Sequence, residues 1–203
     1  MIPFMSVLVM TLILGISAYA EETPSIQSLD ELNPFAENIE SLLNEMDQDY
    51  ELETGRSAFE ITIPNFTEAS CKQKGCEIYA QIVKSEQKLY LYIQGILQTS
   101  WSVSTGLPKY ETPHLNTHPN GRIYDAYTSK KFPGGDYKGL GNMPYAVFIE
   151  GGFAIHGTAE SNWPKLGRKA SHGCIRIHPD NALYFNRLVR EAGVRNTWVS
   201  VQE

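Results

Sequence analysis

Basic side chains are nearly missing from one stretch of this sequence. Residues 21–60 hold twelve acids and a single base, Arg56, for a net charge of −11, while residues 61–203 hold eleven acids and sixteen bases, for a net of +5. An acidic leader on a mildly basic body argues against a nucleic-acid partner and suits a body that handles carboxylate-rich ligands, although ordinary solvated faces explain the same counts. Charge of either sign is missing from the first twenty residues, which carry an apolar run from Val7 to Ile16 and end in Ala18-Tyr19-Ala20 before Glu21-Glu22. That pattern predicts a secretory signal cut after Ala20 and hence a protein of the periplasm or cell envelope. The lack of Lys or Arg at its start leaves a retained anchor as the alternative, but the run is short for a bilayer span.

Cysteine is scarce as well, three in 203 residues, and the odd count leaves one thiol over. In an oxidising compartment Cys71 and Cys76 can close a small loop, with unpaired structural cysteines as the alternative. A zinc knuckle would need a second Cys or His pair nearby, and the sequence has none. Internal repeats and low-complexity runs are also lacking. At 203 residues and 42% apolar content the chain can bury one domain plus an appendage, and is too short for two domains of ordinary size.

What is present divides into three parts: a signal over residues 1–20, an acidic leader over 21–75 and a body over 76–203. In the leader, Asn33 can cap a helix with Pro34 at its first position, placing Phe35, Ile39, Leu42, Leu43 and Met46 on one stripe. Its partner is open: the helix can cover the body, sit on a partner or membrane surface, or act as a tether. From Ile78 the apolar period changes to two, and residues 78–83, 89–93 and 96–103 read as three short strands. Residues 107–144, rich in Pro, Gly, Asn and His, read as long loops. A strand over 145–149 turns into residues 153–155, which deliver His156. The late helix runs from Pro179 to Ala192 with Gly193 as its stop, and residues 194–201 read as a closing strand.

Chemistry concentrates in Ile155-His156-Gly157 and Ala170-Ser171-His172-Gly173-Cys174-Ile175-Arg176, which set one thiol beside two imidazoles. A thiol attacks carbonyls as thiolate, so a nucleophilic Cys needs an imidazole or a helix N-terminus nearby. The residues alone leave the base open between His156 and His172. A His/Cys metal site that uses these residues with His178 is conceivable, but Ser-His-Gly-Cys fits a catalytic turn, and neither a metal nor a cofactor is expected.

The order strand, His-Gly, loop, Ser-His-Gly-Cys-Ile-Arg, helix, after a meander ending in Ser104-Thr105-Gly106, resembles the YkuD-type L,D-transpeptidase catalytic domain of bacterial cell-wall enzymes over about residues 76–203. Met143-Pro144-Tyr145 and Gly151-Gly152 resemble that family's flanking sequence, whereas Thr117-His118-Pro119-Asn120-Gly121 departs from its usual Thr-Pro-x-Gly turn. The resemblance implies a mainly β fold, a sandwich or open barrel with a helix after the catalytic turn. It implies peptidoglycan stem peptides as substrates, with a stem amine, an envelope-protein amine or water as acceptor. It gives Cys174 the role of nucleophile and His156 that of base, oriented by the Gly157 carbonyl. Backbone N–H groups of His172, Gly173 and Cys174 would stabilise the oxyanion. Ser171, Arg176, Trp163 and Tyr145 are the candidate substrate contacts, Arg176 being equally able to serve as a structural ion-pair partner. A stem-peptide receptor without catalysis is the competing class.

Overall fold

The computed structural model describes residues 33–55, 57–58, 71–127 and 135–203. The secretory signal proposed for residues 1–20 lies outside them. The described chain is mainly β, with two sheets that do not close on one another and two α-helices.

The alternating segments from Ile78 form β1 (Ile78–Val83), β2 (Lys88–Ile93) and β3 (Ile96–Ser102), an antiparallel meander in the expected order. Outward positions on β3 stay exposed, as befits a sheet edge. On its other side β1 pairs in parallel with β8 (Thr197–Gln202), which in turn pairs antiparallel with β4 (Leu115–Thr117). Both β1 and β8 are buried along almost their whole length, as central strands require. β4 sits inside the segment expected to be loop, since three residues are too few to display an alternating pattern.

A second sheet holds β5 (Val147–Glu150), β6 (Phe153–Gly157) and β7 (Ile175–Ile177), with β6 and β7 parallel. Helix α2 (Pro179–Ala192) follows β7 directly and ends at Gly193; His178 accepts the Asp180 N–H at its start. One core joins the sheets to α2 through Ile82, Leu91, Val147, Ile155, Ile175, Phe185 and Val199.

The acidic leader does form a helix, α1 (Ile39–Thr54), and it lies against the body. Its buried residues Leu42, Leu43, Met46 and Tyr50 join Tyr124, Phe148, Ala154 and Cys174 in a second core cluster. Charge fixes the orientation: Arg122 of the body reaches Asp47 at 3.0 Å, Asn44 at 3.0 Å and Glu40 at 3.4 Å. Burial pushes the Asp47 carboxyl up, against the Arg122 bond that favours its charge. The helix begins later than the sequence suggests. Asn33 caps a turn instead, accepting the Phe35 N–H at 3.0 Å, and two further turns precede Ile39 because Pro34 and Phe35 pack against backbone of the body. Among the described residues no helix is long and apolar enough to cross a membrane.

Leu43 is fully buried, so Leu43→Ala should cost about 2–5 kcal/mol. We expect one cooperative thermal transition at a lower temperature, seen together by far-UV dichroism and tryptophan fluorescence. A separate early transition would show that α1 is not part of the same core.

Candidate active site

Side chains alternate across a strand, so the parallel register of β6 and β7 decides what meets what. Ile155 lies opposite Ile175, His156 opposite Arg176 and Gly157 opposite Ile177. Ile155, Ile175 and Ile177 enter the main core, while Ala154 and Cys174 join the cluster beneath α1 and alternation sends His156 and Arg176 to the face opposite the isoleucines. The imidazole therefore comes from β6 and the thiol from the residue just before β7. Both residues are 0% exposed.

His156 Nδ1 lies 2.6 Å from the Gly157 carbonyl oxygen. A carbonyl only accepts, so Nδ1 carries the proton and Nε2 presents the lone pair, the tautomer a base toward a thiol requires. The Cys174 Sγ lies 3.5 Å from the Gly152 carbonyl oxygen. The Gly157 carbonyl thus orients the ring.

The catalytic turn is held by its own residues and by the segment after β3. Ser171 Oγ donates to the Cys174 carbonyl at 2.6 Å and accepts the Gly173 N–H at 3.0 Å, closing the turn on itself. Gly173 has φ +118°, a conformation that residues with a Cβ rarely adopt. Ala170 and Ser171 donate their N–H groups to the Thr105 carbonyl, and Ser104 exchanges backbone bonds with Arg176. Ser104-Thr105-Gly106 is in this way a wall of the site.

Thr112, which the sequence reading passed over, completes that wall. Its hydroxyl accepts the Gly106 N–H at 2.9 Å and donates to the Gly173 carbonyl at 2.7 Å, and the residue is wholly buried. A single Thr in a loop carries no periodic or spacing signal, so only the fold brings it to the turn.

The other candidates scatter around the site. His172 is half-buried, its ring edge-on to Tyr110 at 4.9 Å. Arg176 is 2% exposed and donates to the Ala170 carbonyl at 3.0 Å, tying down the start of the turn. Trp163 belongs to a short 3-10 helix, donates its indole N–H to the Thr158 carbonyl at 3.1 Å and packs on His178 at 4.4 Å. Tyr145 has φ +58° and is half-buried, which raises its phenol above the ordinary value. Cys71 and Cys76 form a disulfide, and Cys174 stands outside it. His118 comes within 4.8 Å of both disulfide sulfurs, the one grouping of possible metal ligands among the described residues, but the sulfurs are bonded to each other.

A buried thiol just before one strand and an oriented imidazole on the parallel strand beside it form the kind of site that transfers acyl groups through sulfur. Residues 77–201 match the family model of the YkuD L,D-transpeptidase catalytic domain, and the chain belongs to that family. Solved structures agree on the fold. An L,D-transpeptidase from Mycobacterium smegmatis is 24% identical with a TM-score of 0.51, over 64% of this chain and 60% of that one. One from Mycobacterium tuberculosis H37Rv is 23% identical with a TM-score of 0.51, over 64% and 59%. L,D-transpeptidase 3 from Mycobacterium tuberculosis is 21% identical with a TM-score of 0.52, over 64% and 62%. The chain therefore spans about three fifths of the length of these proteins. No curated protein matches it.

Thr112→Val keeps the side chain's shape and removes both hydrogen bonds, at a cost of about 1–3 kcal/mol for the groups left unpaired. We expect acylation of Cys174 to slow about tenfold or more and Thr112→Ser to restore it. Equal acylation rates in all three proteins would remove Thr112 from the positioning of the turn.

Proposed function

We propose that the protein is an exported peptidoglycan L,D-transpeptidase that forms 3-3 crosslinks through a thioester on Cys174. His156 Nε2 takes the thiol proton. The thiolate adds to the carbonyl between the L-centre of diaminopimelate and the terminal D-alanine of a tetrapeptide stem, and backbone N–H groups of the turn stabilise the oxyanion, other than that of Gly173, which the sequence also offers and which Ser171 Oγ takes instead. The C–N bond breaks, the departing D-alanine amine receives the proton from His156, and the thioester remains. An amine of a second stem then attacks the thioester and gives its proton to His156. The C–S bond breaks, and the thiol is regenerated as that proton returns to sulfur.

The observation that supports this reading is the bond from His156 Nδ1 to the Gly157 carbonyl, on the strand paired with β7, which Cys174 immediately precedes. It reserves Nε2 for proton transfer. The same acyl-enzyme would serve an envelope-protein amine or water, so the acceptor is what the products must reveal. Export rests on the sequence of residues 1–20, and release into an oxidising compartment agrees with a bridged Cys71–Cys76 pair.

Incubation of the protein with a defined disaccharide tetrapeptide should release D-alanine and give a crosslinked dimer by mass spectrometry. Cys174→Ser and His156→Ala should each fall below about a thousandth of that rate while they keep the fold. Hydrolysed tripeptide in place of dimer would reassign the acceptor to water. D-alanine release retained in either variant would contradict the proposed roles.

A further inference from the structure

The segment that precedes α1 lies directly over the catalytic turn. A Cβ placed on Gly173 would stand 2.9 Å from Pro34 Cγ and 3.0 Å from Phe35 Cε2. One placed on Gly152, whose carbonyl faces the Cys174 sulfur, would stand 2.7 Å from Ile39 Cγ1 and 2.8 Å from Pro34 Cα. The Phe35 ring meets Phe153 edge-on at 5.3 Å and lies 6.5 Å from Tyr110, the residue that contacts His172. Pro34, Phe35 and Ile39 thus cover the two glycines that flank the nucleophile, from a part of the chain that precedes the matched catalytic domain at residue 77. A peptide carbonyl has to approach Cys174, which is wholly buried as the chain stands.

The cover and its anchor differ in how firmly they are held. Leu43 and Met46 of α1 are buried, and the Arg122 contacts to Asp47, Asn44 and Glu40 fasten the helix to the body. In residues 33–38, by contrast, only Pro34 is buried; Phe35 is 49% exposed, and its backbone N–H is held by the Asn33 side chain of the same turn. Segments with little apolar burial open locally at a lower free energy than the core they rest on. A tethered segment also competes at the high effective concentration that its short link provides.

We propose that residues 33–38 form a built-in cover over the turn that carries Cys174, seated by Pro34 and Phe35 on Gly152, Phe153 and Gly173, which a substrate must displace together with Ile39 at the first turn of α1 while the rest of the helix, from Leu43 on, stays docked. The cover acts as an intramolecular competitor: the apparent affinity for any ligand of the thiol is reduced by the fraction of molecules that are open. Its specificity follows from the seat, since a ligand that presents an apolar or extended face to Phe153 and the glycine backbone replaces what Phe35 gives up. The inference concerns access to the sulfur and rests on the acyl-transfer reading only for what that access serves.

Alkylation of Cys174 by iodoacetamide, followed by intact mass, tests access without any transpeptidation. The full chain carrying Pro34→Gly and Phe35→Ser should react at least about tenfold faster than the parent, and Phe35→Leu should stay within about threefold of it. Equal rates in the folded parent and double variant would overturn the cover. Should the double variant unfold, amide exchange in the parent decides: exchange at Phe35 and Ala36 well ahead of residues 42–46 supports a segment that opens alone, and simultaneous exchange contradicts it. Fast alkylation with no acyl transfer would sink the transpeptidase reading and leave the cover standing. Acyl transfer with alkylation indifferent to Phe35 would do the reverse.

Discussion

The parallel pairing of β6 with β7 is the constraint from which the site follows. It places His156 on the face opposite the buried isoleucines and brings the residue that precedes β7, Cys174, next to β6, and Ile155, Ile175 and Ile177 lock the arrangement by filling the main core. A slip of one residue would send the imidazole into the hydrophobic layer and an isoleucine to the thiol. Everything else refines this arrangement. The Gly157 carbonyl selects the ring tautomer, Ser171 closes the turn, and Thr112 and the segment 104–106 hold the turn against the first sheet.

For the nucleophile proposed here, burial is a compromise between reactivity and access. Burial shields a thiolate from water and strengthens the groups aimed at it, but a peptide substrate needs a way in. In this chain the roof over the sulfur comes from the acidic leader, whose helix α1 is docked through Leu42, Leu43, Met46 and Tyr50. The uneven charge of the sequence acquires a structural meaning here, because Arg122 of the body meets the acids of α1.

The body was the more legible part of the sequence. Strict alternation revealed β1 to β3, and the proline-led helix with its glycine stop revealed α2, because both signals are local and repeated. The motif around His156 and Cys174 likewise pointed to the family whose model residues 77–201 match. Short strands escaped: β4 and β7 have three residues each, and their identity comes from partners far along the chain. Thr112 escaped for the same reason, as its two hydrogen bonds depend on residues 106 and 173 meeting in space. For α1 the apolar stripe was visible but its start was misplaced. Asn33 has the chemistry of a cap, and packing of Pro34 and Phe35 on the body turned that capping to a local turn instead. Which surface the stripe would cover was beyond any local signal.

The account turns on the imidazole of His156 producing the thiolate of Cys174. The pH dependence of Cys174 alkylation, measured on the folded parent and on His156→Ala, tests this most directly. The parent should react well below the ordinary thiol pKa of about 8.5, and His156→Ala should require pH near or above that value. Superimposable profiles would show that the sulfur is activated by something else, and the proposed acyl transfer would lose its base.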